Sequence, residues 1–107
     1  MKKLLLTTVL LSLSLPLFAS SECGPYKIKY IQAQKSLTLI AVIFGSGPDD
    51  YSWKNIGKPD DSYGNSYQAI TQQAFAADNY ITLRYEDGYN CTASDYTSVP
   101  DMIRISR

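Results

Sequence analysis

Two cysteines, Cys23 and Cys91, stand far apart in this 107-residue chain, and no other feature limits its fold as much. The spacing is not the close CxxC of a redox motif, and with no histidine in the chain a zinc site lacks ligands. The pairing expected is one intramolecular disulfide, which requires an oxidising compartment. In the chain-entropy account, closing so long a loop stabilises a small domain by about 4 kcal/mol, a large share of what such a domain has. Any fold must therefore bring the start of the domain against a segment close to its end.

Export meets the redox requirement. Met1 to Ser21 has the three zones of a signal peptide: Lys2 and Lys3, an apolar run from Leu4 to Phe18, and the small residues Ala19, Ser20 and Ser21. The run is short of the roughly 20 apolar residues that a membrane span needs. Cleavage after Ala19 and cleavage after Ser21 fit the pattern equally well. Cys23 follows the acidic Glu22, unlike the cysteine of a lipoprotein signal. The expected product is one secreted or periplasmic domain, Glu22 to Arg107, with nothing left to hold it in a membrane.

Losing Lys2 and Lys3 turns 10 basic and 10 acidic residues into 8 against 10, a net charge of −2. The remaining basic residues are scattered, so nucleic acid, which selects for a dense basic patch, is not an expected partner. The nine tyrosines and Trp53 lie in this domain. Such side chains combine an aromatic face with a polar tip, the combination that binding surfaces favour.

Periodicity sets the elements. In Tyr26 to Ile31, strand alternation puts Tyr26, Ile28 and Tyr30 on one face and Lys27 and Lys29 on the other. Leu37 to Phe44 is an apolar, β-branched run closed by Gly45-Ser-Gly-Pro48, so the two segments read as a hairpin with a buried second strand. Asp49 to Asn65 is a polar, turn-rich loop with one short strand at Tyr51 to Ile56. Asn65 or Ser66 can cap a helix over Tyr67 to Ala77, with Tyr67, Ile70, Ala74 and Ala77 on its inner face and Asn79 taking the left-handed position at its end. Tyr80 to Tyr85 and Met102 to Ser106 complete the strands. The fold class is α+β: a four- to five-stranded antiparallel sheet or an OB-like barrel, with one helix and one disulfide. In such a sheet, Lys27 and Lys29 discourage pairing at the first strand, and the edge left for self-association is Met102 to Ser106.

Tyr67-Gln-Ala-Ile70, Ala74, Ala77, the run Tyr80-Ile-Thr-Leu-Arg-Tyr-Glu-Asp-Gly-Tyr-Asn-Cys91, and Ile103 with Ile105 resemble a widespread pattern of small secreted bacterial proteins. There, a helix with inward alanines precedes a strand, a turn-cysteine and a closing strand. The element order is also similar to the B subunits of subtilase- and pertussis-type AB5 toxins, whose OB-like fold assembles into rings and binds glycans. The first likeness covers about half of the mature chain, and the second is looser. Both bear on fold more than on function. The Ser-rich sialic-acid-binding stretch of the toxin subunits has no counterpart here, so no glycan-binding residue is carried over.

Catalytic chemistry has few members to draw on. Without histidine, and with both cysteines bonded, the common nucleophile and base arrangements are empty. Carboxylates remain at Asp49-Asp50, Asp60-Asp61 and Glu86-Asp87, but adjacent acids in turns are ordinarily solvated, and a glycosidase needs two across a cleft. Asp60 to Asn65 has the oxygen spacing of a calcium-loop fragment and lacks its closing bidentate glutamate. Asn90-Cys91-Thr92 matches a glycosylation sequon by letters only. No metal and no cofactor are expected, and the chain is not expected to be an enzyme. Loop aromatics are left as ligand contacts: Tyr51, Trp53 and Tyr63 in the polar segment, and Tyr89 and Tyr96 flanking Cys91. The expectation is an exported, non-enzymatic binding module for a glycan or a protein, monomeric rather than a ring. The alternative is a periplasmic inhibitor or immunity protein that blocks an enzyme with the acidic loop Asp49 to Asp61.

Overall fold

The computed structural model describes residues 20–107, so the signal-peptide reading of residues 1–19 lies outside the described residues. The chain runs β1 (Ser20–Ala33), β2 (Thr38–Ile43), β3 (Tyr51–Asn55), α1 (Gly64–Ala77), β4 (Tyr80–Glu86) and β5 (Met102–Ser106). The strands form one open five-stranded sheet in the order β3-β2-β1-β4-β5, and every neighbouring pair is antiparallel. Among the described residues this is the small α+β fold, with one helix and one disulfide, that the sequence pattern implied.

β1 is the spine, and it serves two neighbours with two different stretches. Ser20 to Tyr26 pairs with β4, through Ser21 to Tyr85 and Cys23 to Leu83, while Lys27 to Ala33 pairs with β2. The first change of partner register falls at Gly24-Pro25, a cis peptide. Proline has no N–H to give the ladder. Gly24 has φ +122°, and a Cβ there would stand 2.8 Å from the Ile81 carbonyl oxygen, so only glycine fits. The second change is a bulge between Ile28 and Tyr30. One extra residue reverses the alternation beyond it. Tyr26 and Ile28 face the core, but Ile31 is the next to pack there, and Tyr30 emerges on the opposite face. The single face expected for Tyr26, Ile28 and Tyr30 is thus corrected. So is the position of the first strand, which is the centre of the sheet and not an edge.

The core joins Tyr26 and Ile28 of β1, Ile40 and Val42 of β2, Ile81 and Leu83 of β4, Ile103 of β5, and Ala74 of the helix. α1 lies on β1, β4 and β5. Its buried residues are Gly64, Thr71 and Ala74, with Tyr67 and Ile70 packed at the border. Thr71 is tolerated inside because its hydroxyl donates back to the carbonyls of Tyr67 and Gln68. Ala77, expected on the inner face, is exposed because the helix ends there. The start also differs: the helix opens at Gly64 with Tyr63 before it and no side-chain cap. A Cβ on Gly64 would stand 1.9 Å from the Lys58 carbonyl oxygen. At the other end, Asp78 and not Asn79 takes the left-handed conformation, with φ 56°. Lys27, from the central strand, forms an ion pair with this residue.

The Cys23–Cys91 bridge, with Cα atoms 5.4 Å apart, ties the first strand to the segment between β4 and β5. No described helix is long and apolar enough to cross a membrane.

Candidate functional site

Tyr51 and Trp53 are two apart on β3 and so project from the same face of the sheet. In the ladder, Trp53 pairs with Ala41 of β2, and Ala41 pairs with Tyr30 of β1. Ala41 is fully buried, and its methyl leaves room for the large rings on either side to meet above it. The Tyr30 and Trp53 rings are nearly parallel, 15° apart, with centroids at 5.9 Å. Tyr51 stands edge-on to both, at 5.7 Å from Tyr30 and 6.1 Å from Trp53. The Lys29 ammonium lies 5.7 Å from the Tyr30 centroid and 5.3 Å from that of Tyr51, and donates to the Pro48 carbonyl at 3.3 Å. The same bulge that turns Tyr30 outward places this cation beside the rings. Tyr30 remains 47% exposed, so the cluster is open to solvent.

The outer edge of β3 is not bare. The β4–β5 connection crosses to it: Trp53 N–H donates to Ser94 Oγ at 3.0 Å, Asp95 N–H donates to the Trp53 carbonyl at 2.9 Å, and Asn55 Nδ2 donates to the Tyr96 carbonyl at 3.1 Å. Lys54, between these residues, points to the other face and is fully buried. Its ammonium donates to the Ala93 carbonyl at 2.7 Å and to the Tyr89 hydroxyl at 3.2 Å, while Tyr89 donates to Asp95 at 2.9 Å. Desolvation lowers the Lys54 pKa, and the negative charge of Asp95 opposes that shift. Burial pushes the Asp95 carboxyl up, but N–H groups of Ser98 and Thr97 and the Tyr89 hydroxyl outweigh it and hold the group well below the usual carboxylate range. Burial also drives the hydroxyls of Tyr85 and Tyr89 above the usual tyrosine range; their rings stack at 3.7 Å. A buried charge persists only when paired and hydrogen-bonded. Here, that pairing clamps the disulfide-bearing loop to the strand that carries Trp53.

The five aromatics expected as ligand contacts therefore separate. Tyr51 and Trp53 share a cluster. Tyr63 packs on Tyr67 with centroids 5.0 Å apart and lines a cavity of about 340 Å³ with Lys58 and Asp61. Tyr89 is spent on the Lys54 and Asp95 clamp. Tyr96 is exposed on the clamped loop, and only its backbone is used. Tyr30 was missed because unbroken alternation puts it inside; the pair Ile28 and Ile31, three apart in a strand, was the available sign of a bulge. Asp49-Asp50 precedes β3 and Asp60-Asp61 follows it. Among the described residues, no group of three or more His, Cys, Asp or Glu could hold a metal ion.

Searches of protein-family models, curated proteins and solved structures match nothing to this chain.

Proposed function

We propose that the chain is an exported, non-enzymatic binding module that holds a glycan on the Tyr30–Tyr51–Trp53 cluster. The observation that carries this reading is the near-parallel pair Tyr30 and Trp53 over Ala41, open to solvent on a strand whose other edge is clamped. Flat apolar faces stack on the C–H faces of sugars, and rigid aromatics lose little conformational entropy on binding. Lys29 adds hydrogen-bond donors at the rim. The exposed group is only three rings and one ammonium wide, closer to the footprint of one or two sugars than to the roughly 800 Å² per partner of a stable protein interface. The Cys23–Cys91 disulfide agrees with export, and an isolated domain bearing such a patch is read as a monomer.

A glycan array probed with the mature protein and with Tyr30→Ala tests the reading. The expected result is a defined set of glycans bound by the first and lost in the second. Capture of a single enzyme with no glycan signal would replace this reading with the inhibitor.

A further inference from the structure

β3 joins the aromatic cluster to the cavity of about 340 Å³ that Tyr63 lines. Tyr51, Trp53 and Asn55 are alternate residues of this strand and so start from one face of it. Its ladder with β2 is regular over all five residues, so the row is unbroken. Asn55 is also a wall of the cavity, together with Ser36, Lys58, Asp61, Tyr63 and Thr97. Two residues of strand advance about 7 Å, so the cavity starts one such step beyond Trp53. Asn55 itself is spent, its Oδ1 accepting from Gly57 N–H and its Nδ2 donating to the Tyr96 carbonyl. The Tyr63 ring is held in place: it packs on Tyr67, and a Cβ at Gly57 would stand 2.7 Å from its Cε1.

Resting on the glycan reading above, we propose that the ligand is a neutral, extended glycan chain of about four sugars or more, stacked on Tyr30 and Trp53 and ending against Tyr63 in the cavity. The cavity has room for a single sugar, since it stands at the lower end of the roughly 300–1,000 Å³ of small-ligand pockets. Its walls suit a neutral polyol. Lys58 and Asp61 carry opposite charges, and with the hydroxyls of Ser36 and Thr97 they supply both donors and acceptors for sugar hydroxyls. Ion pairs among the described residues hold Lys27, Arg84 and Arg104, and Lys58 belongs to none of them. Chains whose rings are joined through equatorial oxygens stay extended and follow an unbroken strand, whereas a coiled chain leaves it after one contact.

Titration calorimetry of the disulfide-bonded mature protein with cellobiose, cellohexaose, chitobiose and chitohexaose tests the chain. In at least one of the two series the hexamer is expected to bind at least about ten-fold tighter than the dimer, because its second contact is intramolecular. Tyr63→Ala should bring the hexamer down to the affinity of the dimer and leave the dimer unchanged. Lys58→Ala removes an exposed side chain that holds no ion pair, so it should fold as the parent does and still weaken the hexamer alone. The proposal is overturned by equal binding of dimer and hexamer, by the failure of both hexamers to bind, or by undiminished hexamer affinity in both variants. Array glycans that bind through Tyr30 while both hexamers fail would overturn the chain and leave the aromatic surface standing. Undiminished hexamer affinity in Tyr30→Ala would overturn both.

Discussion

Tyr30 and Trp53 meet across Ala41, nearly parallel with centroids 5.9 Å apart, although β2 separates their strands. Two backbone features place them. The bulge at Lys29 turns Tyr30 out of the core, and the Ser94 to Tyr96 segment holds the β3 edge from which Trp53 rises.

The clamp depends on Lys54. Lys54→Met keeps the stem and removes the charge, leaving the Ala93 carbonyl without its donor and Asp95 without its buried counter-charge. Leaving the Ala93 carbonyl and the Tyr89 hydroxyl without this charged donor is expected to lower stability by about 2 kcal/mol. Urea unfolding followed by far-UV circular dichroism measures it, and a loss below about 1 kcal/mol would show that the clamp is not needed.

Asp95 gives the clamp a pH dependence of known sign. Its folded pKa is depressed, so its contribution is complete above the ordinary carboxylate pKa of about 4 and is lost as pH falls from there toward the folded value. The stability difference between the parent and Asp95→Asn should be constant from neutral pH to about 5 and shrink below about 4. A difference that grows on acidification contradicts the assignment.

Much of this arrangement was legible before any coordinates. Ile81, Leu83 and Tyr85 alternate as a half-buried strand must, the β2 run is apolar as a fully buried strand must be, and the distant cysteines had one sensible pairing. Tyr30 was harder to read, because the bulge between Ile28 and Tyr30 interrupts the pairing with β2, and the three-residue spacing of Ile28 and Ile31 is its one trace in the sequence. Lys27 and Lys29 looked like protection for an edge; in the central strand they serve instead as partners for Asp78 and for the aromatic rings. Lys54 was hidden for the opposite reason. A lysine in a polar loop reads as solvated, and only the returning segment around Asp95, distant in sequence, makes burial tolerable.

Ser20 and Ser21 are strand residues, paired with Glu86 and Tyr85, and Ser21 Oγ accepts from Gly88 N–H at 3.1 Å. On the proposal that the chain is exported with a cleaved signal, cleavage after Ala19 would keep these contacts and cleavage after Ser21 would remove them. Intact mass and N-terminal sequencing of the exported protein should therefore give Ser20 as the first residue; Glu22 would contradict this.

The claim that the aromatic cluster is the binding surface has a built-in reporter, since Trp53 is the only tryptophan in the chain. Titrating the mature protein with a glycan selected on the array, and following Trp53 emission, should give a saturable change. In Tyr30→Ala the affinity should fall at least about ten-fold while the far-UV spectrum and melting temperature stay close to those of the parent, because Tyr30 lies outside the core. Glycan binding with unchanged affinity in this folded variant, or with no response from Trp53, would contradict the account.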